Sequence, residues 1–547
     1  MNSLRTVRVP RVNKVDKGAL STLFTLFTLF TFFPLLAACT PRTPLTTAVV
    51  ILPTDEPTHL PSPTASLTPT ISPTQTPIPP TATATLTPTL TPTATLLPGY
   101  VRYETQSGDT LTALAARFGT TVEAIECEGA AENCPKVENA GGLIPAGVGL
   151  IILDGVRNAA GFAVGPGNRI LPDSEFIFSA EALGFDVFGY VEGTEGYLKT
   201  HRQYLMLNGW NSGVQVIELL ARENGVNPRL LLALLEYQCG CVLENPGTQV
   251  ELEPFLKATS TGYIRKDLWG QLNWVVRRMW AGYSGWRAGT LTEFTLKDGT
   301  VIRPDPTLNA GTVAVQYFFA FVDDRATFEQ AVGPKGFAAR YAAMFGDPWP
   351  REGEIFPAGV VQPDFILPFE AGTTWSFTGG PHAAYDGNGP LAGLDFAPAL
   401  ASQGCVQSDE WVLAVADGVV VRVEEGVVVL DLDGETPADG VEQTGWDVLY
   451  LHLEARERVM LGTVVKTGDR LGHPSCEGGV ANGTHVHLAR KFNGEWLAAD
   501  GALPFNLGGW IAHNGDKPYK GTLTRGEEVR TACTCSWREG WIVMSDE

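Results

Sequence analysis

Residues 482–489 read NGTHVHLA, and residues 447–454 read DVLYLHLE. Both are short apolar runs with alternating polar positions, bounded by Gly or Asp, the pattern of β-strands joined by turns. Residues i and i+2 of a strand point to the same face. His485 and His487 therefore project together, as do Tyr450 and His452. Residues 412–434, VLAVADGVVVRVEEGVVVLDLDG, continue the same texture. The spacing predicts a largely antiparallel sheet, and we delimit its domain as residues 355–547.

A second segment, residues 379–398, reads GGPHAAYDGNGPLAGLDFAP. Its Gly and Pro content predicts a loop around His382, with Asp395 starting or ending a strand. The chain has eight histidines, and four of them fall in these segments. Taken singly, a histidine is more often structural than catalytic. Together, two histidines and a carboxylate suit a catalytic zinc ion, which takes three protein ligands and keeps one position open for water. Two histidines remain to move protons.

These segments, with ADGVVVRV (416–423), YLHL (450–453) and GTVVKTGDRLGHPSCEGGVANGTHVHLA (462–489), resemble the zinc endopeptidases of the lysostaphin and β-lytic type, which cut peptides in bacterial cell walls. The resemblance implies that His382, Asp395 and His487 bind Zn²⁺ and that His452 and His485 form the catalytic pair. The lysostaphin-like branch usually has a His-x-Gly-x-Asp motif, but Leu391 occupies that His position here. The long spacing from His382 to Asp395 is instead the β-lytic pattern. If His382 does not reach the metal, the domain is a degenerate relative, and the chain is a non-catalytic wall-binding or amidase-activating scaffold. Tyr450 is a candidate to support His452, His473 reads as structural, and the tail beyond residue 512 reads only as a covalently pinned extension.

The chain has 547 residues and a net charge of -21. This length needs several domains, and this charge argues against nucleic acid as a partner. Residues 1–38 carry a basic start, an apolar run and the ending Leu36-Ala37-Ala38 before Cys39. That reads as an export signal, and it resembles the bacterial lipoprotein signal, which implies lipidation of Cys39 and tethering outside a membrane. Residues 39–99 are dominated by Thr and Pro, a composition that cannot bury a core and predicts a disordered stalk. Without Cys39, eight of the nine cysteines remain. Disulfides are expected in an exported chain, with Cys127–Cys134 and Cys405–Cys476 preferred. The partners of Cys239, Cys241, Cys533 and Cys535 stay open, including a zinc site built from the two Cys-x-Cys pairs.

Residues 100–154 alternate like a strand at Tyr103 and Thr105, then follow helical spacing at Leu111, Leu114, Ala115 and Phe118. QSGDTLTALAARFGTTVEAI (106–125) and LIPAGVGLIIL (143–153) resemble the LysM domain. That implies a strand–helix–helix–strand fold that binds N-acetylglucosamine-containing glycans such as peptidoglycan. The insert CEGAAENCPKVENAGG (127–142) departs from the usual short connection. Residues 165–352 read as mainly helical, with Asn227 as an N-cap and Pro228 in the first turn. NGVNPRLLLALLEYQCG (224–240) loosely resembles the lysozyme-like lytic transglycosylases, which implies Glu236 as a general acid. The expected whole is a multidomain α+β chain: stalk, βααβ module, helical middle domain and antiparallel-β zinc peptidase domain. It faces the cell wall, with peptidoglycan as partner and its oligomeric state open.

Overall fold

The structure is a computed structural model, and it describes residues 96–129, 134–158, 163–245, 267–385, 387–399, 404–433, 440–533 and 540–544. The export signal, Cys39, nearly all of the stalk and Cys535 lie outside the described residues. No helix among the described residues is long and apolar enough to cross a membrane.

The first module holds β1 (Tyr100–Glu104), α1 (Leu111–Phe118), β2 (Ile125–Cys127) and β3 (Gly149–Leu153). The strands pair antiparallel in the order β1-β3-β2. Helix α1 starts where the Thr110 side chain accepts from Ala113 N–H and stops at Gly119 in the left-handed region, a common helix C-terminal geometry. The expected second helix is a single 3-10 turn, Val122–Ala124, and it leads directly into β2. Leu114, Phe118, Leu150 and Ile152 form the module's core, and Cys127–Cys134 is bonded.

The middle region is mainly helical. Its helices include α2 (Gly213–Asn224), α3 (Pro228–Cys239), α4 (Leu268–Arg287), α5 (Ala310–Val322) and α6 (Phe337–Phe345). Ser212 and Gln215 close a capping box on α2, and Asn227 caps α3 ahead of Pro228. Cys239 and Cys241 are bonded to each other. Their sulfurs are therefore not free for a metal, which removes the Cys-x-Cys zinc alternative at this pair.

The C-terminal region is built on a nine-stranded sheet. Its strands are β4 (Thr374–Tyr385), β5 (Asn388–Pro398), β6 (Gly418–Glu424), β7 (Val427–Asp431), β8 (Trp446–Leu451), β9 (Val464–Val465), β10 (Val486–Phe492), β11 (Glu495–Trp496) and β12 (Trp541–Val543). The order is β9-β6-β7-β8-β10-β5-β4-β12, with β11 beside β10, and every pairing is antiparallel. Val428, Leu430, Val448, Val486 and Leu488 point into the region's own core with Trp375, Phe505 and Trp510. The intervening residues Val427, Val429, Leu449, Leu451 and Ala489 join the core of the helical region. Two-sided burial explains why these strands are apolar throughout rather than strictly alternating.

Candidate metal centre

His382 does not lie in a loop. It sits in β4, which pairs with β5, and Asp395 lies within β5 rather than at its end. The Gly and Pro residues that suggested a loop serve a hairpin whose register shifts several times, and such bulges re-aim side chains. In this register His382 stands opposite Gly393, and Asp395 opposite Gly379. On its other side Asp395 pairs with His487 of β10. Three adjacent strands thus carry one candidate ligand each.

The glycines are required by close approach. A Cβ on Gly393 would lie 2.1 Å from His487 Cε1, and one on Gly379 would lie 2.2 Å from Asp395 Oδ2. Both distances are far inside van der Waals contact.

His382 Nε2 lies 2.9 Å from His487 Nδ1 and 3.3 Å from Asp395 Oδ1. His487 Nδ1 lies 3.1 Å from the same oxygen. The far nitrogen of each ring is committed: His382 Nδ1 donates to Gly380 O at 2.8 Å, and His487 Nε2 donates to Ala384 O at 2.9 Å. In the neutral rings these second bonds select the tautomers in which His382 Nε2 and His487 Nδ1 turn lone pairs toward the carboxylate. With both rings neutral, three buried acceptors converge, and a proton or a cation between them removes the conflict. Zinc–ligand bonds of about 2.0–2.2 Å place neighbouring tetrahedral ligand atoms about 3.3–3.5 Å apart, close to the separations found here. Among the described residues no other group of three acidic, His or Cys side chains comes together in this way.

Electrostatics follow the same geometry. At His382 burial is the largest influence and favours the neutral ring, but the Asp395 charge, its hydrogen bond and the bond to Gly380 O together outweigh it and the pKa rises. Asp395 is raised by burial, yet His382 and then His485 hold it well below the usual carboxylate range. Burial depresses His487 despite its bond to Asp395.

His452 and His485 form a second pair beside the cluster, their rings 4.4 Å apart. His452 follows β8 with a positive φ of 68°, which turns its side chain off the strand's alternation. Its Nδ1 donates to Glu477 O at 2.9 Å, and His485 Nδ1 donates to Gly483 O at 2.7 Å. Both rings therefore keep Nε2 as the free acceptor. His485 Nε2 lies 3.8 Å from Asp395 Oδ1. Burial, then the neighbouring His485, pushes His452 down to about 3.

Tyr450 does not support His452: its hydroxyl accepts from Val415 N–H at 2.7 Å within the core. His473 is held by Glu410 O and Glu457 and packs on Trp411. Cys405 and Cys476 are bonded, joining the segment after β5 to the loop that leads to His485. Cys533 is disulfide-bonded. Glu236 lies far along the chain in α3, and its Oε2 accepts from both Val242 and Leu243 N–H at 3.0 Å. That carboxylate is a clasp on the turn after α3.

The tail holds a residue the sequence did not single out. Tyr519 stacks on His382, ring centroids 4.0 Å apart and 22° from parallel, with φ 68°. Burial and then the Asp395 charge raise its pKa. No local pattern marks it, because the contact depends on the chain returning from residue 519 to β4.

Residues 103–126 match the family model of the LysM domain, and residues 169–358 match that of the LasA N-terminal domain. The small module is LysM-like. No curated protein matches the chain. Among solved structures, a novel M23 metalloprotease, pseudoalterin from the deep sea, is similar at 22% identity over 32% of this chain and 96% of that one, TM-score 0.26. A zinc-containing peptidase from Vibrio cholerae shows 20% identity over 27% of this chain and 41% of that one, TM-score 0.18. The catalytic domain of lysostaphin from Staphylococcus simulans shows 21% identity over 24% of this chain and 95% of that one, TM-score 0.16. The LysM domain and the LasA-type N-terminal domain lie directly against each other: Arg117 donates to Trp286 O at 3.0 Å.

Proposed function

We propose that the chain is a membrane-tethered zinc endopeptidase that hydrolyses peptide bonds of bacterial peptidoglycan, with the LysM domain holding the wall glycan. The observation that carries this reading is the buried convergence of His382, Asp395 and His487 beside the His452–His485 pair. The LysM domain supports a wall substrate, and the Leu36-Ala37-Ala38-Cys39 ending supports an extracytoplasmic, lipid-anchored chain.

On this reading His382 Nε2, Asp395 Oδ1 and His487 Nδ1 hold Zn²⁺, which when bound polarises the scissile carbonyl and acidifies water. His452, neutral by burial, accepts a proton at Nε2. His485 Nε2, nearer Asp395, is placed to return a proton to the leaving amine or to steady negative charge on the substrate. Tyr519 borders the centre and positions His382 by stacking. The scaffold alternative supposes a degenerate peptidase domain, and the convergence of the three ligand atoms supports the enzyme reading over it.

The test is release of new amino termini from purified peptidoglycan by the full chain. We expect release that chelation stops, that zinc restores, and that His487→Ala abolishes. Absence of release from zinc-loaded protein that still binds wall would favour the scaffold.

A further inference from the structure

A cleft of about 580 Å³ opens between the LysM domain and the LasA-type domain. One wall is the turn after β1 (Thr105 to Ser107) with Ala146 and Gly147 ahead of β3, and the facing wall includes Arg169, Thr307 and Glu352. We propose that this cleft is a composite saccharide site, in which Arg169 and Glu352 of the LasA-type domain complete the recognition surface for an uncharged N-acetylhexosamine chain. The proposal rests on the reading of the LysM domain as a glycan binder and goes beyond it, because half of the site comes from another domain.

Three observations carry it. The cleft is pre-formed, since the LysM turn is bolted to the opposite wall. Phe356 N–H donates to Ser107 Oγ at 2.7 Å, Gln106 Nε2 donates to Thr307 O at 3.1 Å, and Arg287 donates to Ser107 O. Behind the turn, Arg117 and Asp109 form a buried ion pair at 2.7 Å. A pre-formed cleft of this size lies within the range of small-ligand sites, and it spares the ligand the cost of ordering loops.

The second observation is charge. The lining carries Arg102 and Arg169 against Glu104, Glu352 and Glu354, so neither sign dominates. A phosphate or polyanion site needs surplus positive charge. Interspersed donors and acceptors instead suit sugar hydroxyls and acetamido groups, which need both.

The third is that the facing wall presents accessible polar groups to the cleft. The Arg169 guanidinium lies 3.8 Å over the Trp349 ring and donates to Glu352 at 3.4 Å. Exposed as this pair is, it adds little stability, and its groups are accessible to ligand.

The experiment titrates the full chain with the N-acetylglucosamine tetramer by calorimetry. We expect saturable binding that Arg169→Ala with Glu352→Gln weakens about tenfold or more, the scale of lost charge-assisted hydrogen bonds, with the thermal midpoint kept. Unchanged affinity in that variant overturns the composite site and leaves glycan binding to the LysM domain alone. If wild type binds neither tetramer nor purified wall yet still releases amino termini, the glycan reading of the LysM domain fails and the cleft proposal with it. Should the double variant melt early, Glu354→Gln must weaken binding about threefold; full affinity there overturns the proposal.

Discussion

His382 and Asp395 stand on neighbouring strands of one hairpin, Nε2 to Oδ1 3.3 Å, and each has a glycine directly opposite it. The hairpin can hold two ligands and admit the His487 ring from β10 only because those opposite positions have no side chain.

Gly393→Ala therefore should displace the His487 ring, which the new Cβ would meet at 2.1 Å. We expect zinc affinity to fall about 10–100-fold, the range seen when ligand orientation is disturbed, while far-ultraviolet circular dichroism is retained. Competitive zinc titration checks it, and wild-type affinity would show that the ring has room to move.

The Cys405–Cys476 bond closes a loop with a sequence separation of 71, which chain entropy values at about 4 kcal/mol. Cys476 also precedes Glu477, whose carbonyl receives His452 Nδ1–H. Replacing both cysteines by serine should lower the thermal midpoint and reduce turnover more than zinc content. The two readouts are a melting curve and metal analysis of the same sample.

Glu442 is buried between Arg422 Nε at 2.5 Å and Lys491 Nζ at 2.8 Å. Burial opposes its charge, but Arg422 and then Lys491 push its pKa down to about 2. An unfolded Glu titrates near about 4.3, so the folded state binds this proton less readily. The pair's stabilisation is complete above that value and is lost as pH falls towards about 2. Glu442→Gln should destabilise the chain by about 3–5 kcal/mol at pH 7 by leaving two buried cations under-compensated. It should also flatten the fall of the thermal midpoint across that acid window. Parallel melts from neutral to acid pH read both effects.

For Glu236, the two backbone bonds at 3.0 Å make a stability prediction. Glu236→Ala should cost about 1–3 kcal/mol by stranding the Val242 and Leu243 N–H groups. It should leave reducing-end release from wall glycan at the wild-type level. A wild type with glycan-cleaving activity that this change abolishes would restore the general-acid reading.

Much of the centre was legible because its residues obey a strand's two-residue period. His485-x-His487 reads directly as one face, and the apolar runs around Val427–Asp431 and Trp446–Leu451 read as strands. The setting of His382 did not, since Gly379, Gly380 and Pro381 have the composition of a loop. The actual role of Gly379, leaving space for Asp395 on the paired strand, depends on register. Tyr519 and the Glu442–Arg422–Lys491 cluster were hidden for a related reason: each is a contact between segments far apart in sequence. Glu236 shows the converse, a helix-terminal acid whose local sequence suggested chemistry and whose fold turns it onto the backbone.

The central claim is that His382 completes a three-ligand zinc centre with Asp395 and His487. Zinc per chain, measured by elemental analysis on wild type and His382→Ala after equilibration with limiting zinc, tests it most directly. We expect about one zinc in wild type, for a site of three protein ligands, and little above background in the variant, with both proteins folded. Equal zinc in the two proteins, or none in folded wild type, would contradict it.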